Sequence, residues 1–404
     1  MIDKPRYDAK CEQPNHASTV KVIAFYLPQF HTIPENDEAW GKGFTEWTNV
    51  KKAVPLFEGH YQPKVPLNGN YYCLLDDGVM EAQAQMAKKY GIYGFCYYHY
   101  YFGHGKKLLE KPLERMLRNP NVDIPFCLSW DNNDWSRKYW NDGDDTIIAA
   151  QDCSDKANLD RHIDYLCEFF ADSRYIKEDG KPLFIVYELP TIPRVRDRFQ
   201  YVRERVKANG FPGIIIAAQN PSYFDFLSRK CFDLCADVYI QSEPNWASSS
   251  LRVKKLSTVK KMKLRAKNSL KSLLIFMGFM HTMRQVKRSY NNLKTLKEGC
   301  YIHDYAEVWE EILADRHEDK RLIAGAFQDY DDTPRRKYGR VFRGVSPEKF
   351  RDYMTRLVHK VKNEYAYPYI FFNAWNEWGE GMYLEPDERY GYAYLEALRD
   401  ALNS

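Results

Sequence analysis

The 404-residue sequence lacks several patterns that would assign it to common protein classes. No Gly-x-Gly-x-x-Gly turn follows the first apolar segment, which counts against a dinucleotide-binding fold. The ten histidines show neither His-x-x-x-His nor His-Glu-x-x-His spacing, so we expect no metal site and no cofactor. The nine cysteines are scattered without a Cys-x-x-Cys pair, as is typical of reduced thiols. No apolar stretch resembling a secretory signal opens the chain, and together these absences predict a cytoplasmic protein.

Acidic residues are missing from residues 247–297, which carry 14 Lys or Arg. This segment accounts for the positive formal charge of +4, since the rest of the chain is net acidic. Its apolar run, residues 270–280, is far shorter than the ~20 residues that a membrane span requires. We predict that the segment contacts an anionic inner leaflet, with an ordinary solvated or packed insertion as the alternative. Nucleic acid is not an expected partner, because aromatics are few here and no binding motif appears.

Eight apolar segments alternate with segments of helical character along the chain. They cover residues 22–27, 92–98, 124–130, 182–189, 213–219, 236–241, 322–328 and 367–375. Several are continuously apolar, which is typical of strands covered on both faces of a parallel sheet. Eight strand–helix repeats favour an α/β fold of the (β/α)8 TIM barrel type over an open sheet. We predict a single catalytic domain over residues 1–404, with long loops and a basic insertion at 247–300 after the sixth strand.

Polar and aromatic residues collect at the predicted strand ends and in the loops that follow, where such barrels build active sites. Aromatic residues make up 15% of the chain, which suits a carbohydrate cleft in which rings stack on sugars. Structural roles are the alternative, for the histidines in particular, and the acids of residues 329–332 could bind a divalent cation or pair with Arg335 and Arg336. The candidate substrate-binding residues are Tyr26, His31, Glu46, Trp47, His60, His99, Trp130, Asp131, Asp134, Trp135, Glu188, Glu243, Asp329 and Asp331.

Residues 371–381 carry the strongest functional signal. Glu377 and Glu380 lie three residues apart directly after the last apolar run. Cleaving a glycoside needs one carboxyl group to protonate the leaving alkoxide and another to act at the anomeric centre. Glu46, Glu188 and Glu243 are the rival carboxylates, and a surface turn with two solvated glutamates is the alternative structure. The flanking candidates for sugar binding are Trp375, Asn376 and Trp378.

Residues 24–31, Ala-Phe-Tyr-Leu-Pro-Gln-Phe-His, resemble the opening of the WbsX-type family. Residues 43–50, 59–63, 94–100, 332–336 and 375–378 resemble further segments of that family, so the similarity extends over nearly the whole chain. Members occur in bacterial O-antigen and capsule gene clusters and are usually labelled glycosyltransferases. The resemblance implies a carbohydrate-active enzyme of surface polysaccharide metabolism, acting on a glycan or a lipid-linked oligosaccharide.

The last turn is also similar to the Glu-Trp-His-Glu-Gly signature of endo-α-mannosidases, which are retaining barrel glycosidases. Gly379 stands where those enzymes carry His. The resemblance implies Glu377 as the base, Glu380 as the acid/base and Asn376 as a substrate-binding neighbour. In that family the base removes the proton of the sugar's own 2-hydroxyl, and an anhydrosugar replaces the usual glycosyl-enzyme.

The chemistry of the leaving group favours glycoside cleavage or transglycosylation over the transferase label. A nucleotide sugar expels a phosphate, which leaves without a protonated carboxyl, whereas an ordinary glycoside expels an alkoxide that needs one. Transfer from a nucleotide sugar in lipopolysaccharide biosynthesis is the alternative, since such donors are cytoplasmic. A barrel that binds a glycan without catalysis is a further alternative.

Overall fold

The structure, a computed structural model, describes residues 19–139, 144–152, 155–219, 236–257, 260, 299–316 and 319–404. Eight parallel strands form its centre. They are β1 (Lys21–Tyr26), β2 (Ile92–Tyr101), β3 (Phe126–Trp130), β4 (Lys181–Val186), β5 (Ile215–Ala218), β6 (Val238–Ile240), β7 (Leu322–Phe327) and β8 (Tyr369–Asn373).

Each strand pairs in parallel with the next one along the chain, and β8 pairs with β1. Ala24 of β1 lies opposite Phe372 of β8 and Phe95 of β2, so the sheet is closed. The predicted (β/α)8 barrel is therefore confirmed, and all eight predicted strands are found with their ends shifted by a few residues. Continuous apolar runs identified these strands because both of their faces are buried.

Helices connect the strands and cover the outside of the barrel. They are α1 (Pro34–Trp40), α2 (Glu46–Lys52), α3 (Val79–Lys89), α4 (Lys111–Arg118), α5 (Lys156–Ala171), α6 (Val195–Ala208), α7 (Asn245–Lys254), α8 (Tyr305–Ala314), α9 (Pro347–Glu364) and α10 (Ala393–Leu402). The start of α5 follows from its sequence, since the Asp155 side chain accepts a hydrogen bond from the Ala157 backbone N–H. Apolar positions at Ile163, Leu166 and Phe170 then turn one face of this helix toward the strands.

Short paired segments extend the loops. Lys107–Leu108 pairs with the end of β2, Lys177–Glu178 pairs with β4, and Trp135–Ser136 pairs with Ile147–Ala149. Tyr301–Asp304 lies parallel to Arg340–Arg343, and Asn376–Glu377 pairs with Met382–Tyr383 just beyond β8.

The predicted basic insertion lies mostly outside the described residues, which omit 258–259 and 261–298. Its first residues belong to α7, where Ala247 and Ser250 are buried and Ser250 donates to Glu311 of α8. Lys254 forms an ion pair with Glu311 of α8 at 2.6 Å. Among the described helices, none combines the length and apolar character needed to cross a bilayer. Contact of this segment with a membrane stays a prediction.

Candidate active site

The turn that follows β8 carries the two predicted catalytic glutamates. Asn376–Glu377 pairs antiparallel with Met382–Tyr383, and a short 3-10 turn, Trp378–Glu380, lies between them. Asn376 anchors this turn, because its side-chain amide accepts from the Leu27 N–H at 2.7 Å and donates to the Leu27 carbonyl at 3.1 Å. The Asp331 N–H donates to the Glu380 carbonyl at 2.7 Å. The turn is therefore tied to the ends of both β1 and β7.

Glu377 is buried, with 5% of its surface exposed, and it receives a hydrogen bond from Tyr98. The direction of that bond is set by its neighbours. Ser129 donates to Gln219 at 2.6 Å, and the Gln219 side-chain NH2 donates to the Tyr98 hydroxyl oxygen at 3.0 Å. The hydroxyl hydrogen of Tyr98 is thus directed to Glu377. Burial raises the pKa of Glu377 to about 8, and the charge of Glu380 contributes to the increase.

Glu380 lies at the mouth with 22% of its side chain exposed and forms a 2.5 Å ion pair with Arg335. The same guanidinium donates to Glu46 through Nη2 at 2.6 Å and through Nε at 3.1 Å. Arg335 thus bridges two carboxylates. Its charge lowers the pKa of Glu377 but is outweighed there by burial and by Glu380.

This arrangement places two carboxyl groups of the same turn in different environments, one buried and one partly exposed. The charge of Glu380 disfavours the ionised form of Glu377, which adds to the effect of burial on the pKa of Glu377. The raised pKa of Glu377 favours its protonated form at neutral pH, while Glu380 forms an ion pair with Arg335. Acid and base in one mouth is the requirement of glycoside chemistry.

Other strand ends reach the same mouth. Burial raises the pKa of Tyr187, after β4, and the charges of four carboxylates add to the shift. These are Asp131, Glu188, Glu380 and Glu377, which come from the ends of β3, β4 and β8. The ring of Trp135 lies edge-on to Tyr100 at 5.1 Å, and its Nε1 donates to Asn36 at 3.1 Å. The structure therefore brings together the predicted residues Asp131, Glu188, Glu377 and Glu380, whereas Trp135 is 1% exposed and buried in packing.

Asp329, Asp331 and His60 form a tightly bonded wall beside the turn. Asp331 accepts from His60 Nε2 at 2.8 Å, from Gln62 at 2.7 Å and from the Thr333 hydroxyl at 2.6 Å. His60 Nδ1 accepts the Leu56 N–H at 3.0 Å, so Nε2 carries the hydrogen. Although burial acts to raise it, the hydrogen bond from His60 lowers the pKa of Asp331.

Lys64 is buried beside this wall and forms a 2.6 Å ion pair with Asp329. Asp331 and His60 bond to other protein groups, so these two residues position the mouth. Asp329 lies at the edge of the mouth, with 19% of its side chain exposed. Among the described residues, no group of three or more His, Cys, Asp or Glu side chains could hold a metal ion.

His99 and Trp130 lie on the outer face of the barrel, under α5. The His99 Nε2 atom is 2.8 Å from Nε2 of His162, and burial lowers the pKa of His99 to about 3. The Trp130 ring packs edge-on to His162 at 4.8 Å. Successive strand residues point to opposite faces, so Tyr98 and Tyr100 face inward where His99 does not. The structure does not bring His99 and Trp130 together with the glutamates.

Several other predicted residues are buried in packing or capping positions. Trp375 is fully buried against Phe95, and Trp378 stacks on Tyr383 with ring centroids 3.7 Å apart. Trp47 packs between Phe30 and Trp378. Such burial leaves the three tryptophans no face for a sugar and favours a structural role, as does the bonding of Asn376 to Leu27.

The remaining predicted residues are also engaged away from the pair. Tyr26 donates to Gln83 of α3, and Glu243 accepts the Ala247 N–H at 3.0 Å in the first turn of α7. His31 Nδ1 is 3.1 Å from the Pro28 carbonyl, and burial lowers the pKa of His31 to about 4. Asp134 accepts the Gln151 N–H at 2.8 Å within its own loop.

Tyr98 and Glu385 are site residues that sequence reasoning missed. Glu385 lies beneath the turn and accepts from Trp378, Tyr72 and Gln83 at 2.7–2.8 Å. Burial raises the pKa of Glu385 to about 7. Neither residue carries a signal in the sequence, because β2 is buried on both faces around Tyr98 and Glu385 follows the turn with no distinguishing spacing.

Solved structures support the fold. One is a GH99 endo-α-mannosidase from Bacteroides thetaiotaomicron in complex with BIS-TRIS-propane, with a TM-score of 0.51 and 14% identity, covering 94% of this chain and 96% of that one. Another is described as a glycoside hydrolase-like protein, with a TM-score of 0.51 and 13% identity over 98% and 97% of the two chains. At these identities the likeness concerns the barrel alone.

Sequence comparison identifies the family. Two relatives, described as uncharacterized protein WxcX in two strains of Xanthomonas campestris pv. campestris, are 34% identical over 386 residues. The match covers 94% of this chain and 49% of theirs, so the chain spans about half the length of these curated relatives. The model of the family described as Glycosyltransferase WbsX matches residues 22–398. The chain therefore belongs to the WbsX glycosyltransferase family.

Proposed function

We propose that this chain is a carbohydrate-active enzyme of bacterial surface polysaccharide metabolism. It cleaves or transfers glycosides by a retaining, endo-α-mannosidase-like mechanism that uses Glu377 and Glu380. The observation that carries the proposal is the electrostatic coupling of these two glutamates at the mouth, where the pKa of Glu377 is raised to about 8 by burial and by Glu380. A pair that retains one proton at neutral pH can assist both the departure of an alkoxide and the attack at the anomeric carbon.

The proposed reaction has two steps, with the roles that the family resemblance implies. Glu377 takes the proton of the sugar 2-hydroxyl as that oxygen attacks the anomeric carbon, while Glu380 protonates the departing glycosidic oxygen. Water or an acceptor hydroxyl then attacks the anomeric carbon. Glu380 removes its proton, the anhydro ring opens, and Glu377 returns the proton to the 2-oxygen. Two inversions at one carbon give net retention, and both carboxyl groups return to their starting protonation states.

These roles require the proton on Glu380 when the leaving group departs. In the structure, the raised pKa of Glu377 favours the proton on Glu377 instead. Substrate entry must therefore transfer the proton from Glu377 to Glu380. If the proton stays on Glu377 in the complex, the two roles are exchanged.

Activity of the variants tests the pair and its roles. Glu377→Gln and Glu380→Gln should each lower turnover on the order of 10²–10⁴-fold, because each removes a proton-transfer group. An activated leaving group departs without a proton, so a substrate that carries one should partly rescue the activity of Glu380→Gln. Rescue of Glu377→Gln instead would exchange the roles, and near-normal turnover in either variant would refute the choice of carboxylates.

Transfer from a nucleotide sugar is the second candidate function, and the description of the family as a glycosyltransferase favours it. Incubating the protein with surface glycans, with and without nucleotide sugars, separates the two by product mass. Glycan shortening or transglycosylation without a nucleotide sugar supports the proposed function. Elongation that depends on the nucleotide sugar favours the transferase, and binding without any product favours a non-catalytic glycan-binding barrel.

A further inference from the structure

We infer that Glu46 and Arg335 form a charge clamp. They position the turn that carries Glu377 and Glu380, and their charges act in opposite directions on the protonation of Glu377. The inference rests on the proposed function for its catalytic consequence. Glu46 and Arg335 are positioning residues in this account, since they act through the two glutamates.

One oxygen of Glu46 gathers three donors. Its Oε1 accepts the Gly379 N–H at 2.9 Å, Arg335 Nη2 at 2.6 Å and Arg335 Nε at 3.1 Å. Arg335 then uses Nη1 to hold Glu380 at 2.5 Å. Glu46 thus fixes both the backbone that precedes Glu380 and the guanidinium that binds its carboxylate.

The local sequence around Glu46 explains its aim. Glu46 is the first residue of α2, whose start is fixed by a capping box between Thr45 and Thr48. The Glu46 side chain has no exposed surface. Its second oxygen, Oε2, has no hydrogen-bond partner among the described residues. A buried carboxylate with one unpaired oxygen destabilises the folded state. The three hydrogen bonds that Oε1 accepts therefore account for a glutamate at this position better than side-chain packing does.

Gly379 makes room for the clamp. A Cβ atom at this position would lie 2.1 Å from Glu46 Oε1 and 2.7 Å from Arg335 Nε. Atoms cannot approach so closely, so the Glu46 carboxylate occupies the space that a side chain at position 379 would need. Glycine at this position is therefore a condition of the clamp.

The charges of the clamp act on Glu377 in opposite directions. After burial and Glu380, Arg335 lowers the pKa of Glu377 and Glu46 raises it. Removing the Glu46 charge should therefore lower that pKa, and removing the Arg335 charge should raise it. Further titratable or charged groups that interact with one or both of the two glutamates are Tyr98, Tyr100, Tyr187, Tyr330, Asp332 and Arg340.

The test measures the protonation of Glu377 directly. Infrared absorption of the protonated carboxyl group is followed against pH in the full chain, and the band is assigned by its loss in Glu377→Gln. We expect the titration midpoint to move to lower pH in Glu46→Gln and to higher pH in Arg335→Gln. Glu310→Gln is the matched control, because Glu310 also binds an arginine, Arg356, at 2.7 and 2.8 Å but lies at the surface with its side chain 54% exposed. The titration midpoint of Glu377 in this control should equal that in the wild type.

Shifts in the same direction, or unchanged midpoints in folded variants, would overturn the inference, because a merely structural clamp predicts no opposed shifts. If Arg335→Gln does not fold, Arg335→Lys keeps the charge but cannot bond both carboxylates. It should keep the wild-type midpoint and lose kcat/KM on the order of 10²-fold through misplacement of Glu380. Unchanged kcat/KM in that variant would overturn the positioning role. Opposed shifts in a protein that turns over no glycan would uphold the clamp and refute the proposed function.

Discussion

Replacing Glu377 by Gln should stabilise the protein, and increasingly so as the pH rises. Folding buries this carboxyl group and raises its pKa from 4.5 to about 8. The folded state therefore binds a proton that the unfolded state has released at intermediate pH. Stability from this group is fully present below about pH 4.5 and is lost as the pH rises to about 8. Gln keeps the shape of the side chain and an acceptor for Tyr98 but carries no charge at any pH.

The size of the effect follows from the shift. The difference between about 8 and 4.5 corresponds to about 5 kcal/mol, since each pKa unit is worth about 1.4 kcal/mol. At pH 7 only part of the penalty has accumulated, about 3 kcal/mol. Glu377→Gln should therefore match the wild type near pH 4, where the carboxyl group is protonated in both states, and exceed its free energy of unfolding by these amounts at higher pH.

Urea denaturation at about pH 5, 7 and 9 measures the difference, followed by tryptophan fluorescence and by circular dichroism so that intermediates are detected. Glu310→Gln is again the control, and its effect should stay within about 1 kcal/mol because the pair with Arg356 is exposed. A stabilisation that does not grow with pH would refute the reasoning. So would a loss of stability in Glu377→Gln at about pH 9.

Three further changes probe other parts of the molecule. Gly379→Ala should lower the free energy of unfolding by about 1–3 kcal/mol, because its Cβ would meet Glu46 Oε1 at 2.1 Å; an unchanged urea midpoint would show that the Glu46 carboxylate moves aside freely. Lys64→Met should cost about 3–5 kcal/mol by leaving Asp329 unpaired, and the double variant with Asp329→Asn should recover much of that loss; equal urea midpoints for the single and double variants would contradict it. Deleting residues 261–297, which leaves α7 and its ion pair with Glu311 in place, should abolish sedimentation with anionic vesicles at low salt while sparing turnover of a soluble glycan, and equal binding of the full chain to neutral and anionic vesicles would refute the membrane role.

The barrel could be predicted from the sequence because its signal is carried by whole segments. Each strand of a closed parallel sheet is buried on both faces, so a run such as residues 183–187 stays apolar throughout and is recognisable without knowing its partners. The same property hides the orientation of individual residues. Residues 95–101 of β2 are aromatic or otherwise buried at every position. No polar–apolar alternation therefore separates inward Tyr98 from outward His99.

The candidate site was predictable only where one short segment carries it. Glu377 and Glu380 lie on the same turn, so the spacing of the two carboxyl groups is visible in the sequence. Arg335 and Asp331 reach that turn from the end of β7, and Glu46 reaches it from α2. These contacts join residues far apart in the chain, and in a single sequence nothing marks two such positions as neighbours.

Gly379 shows why a sequence motif does not fix the electrostatic environment of a site. In the sequence, Gly379 differs from the mannosidase signature only by replacing its histidine. In the structure its missing side chain admits the Glu46 carboxylate, which then binds Arg335 and, through it, Glu380. The charge of Arg335 lowers the pKa of Glu377, and the charge of Glu46 raises it. The proposed roles of the two glutamates thus follow from the signature, whereas the protonation of Glu377 depends on residues outside it.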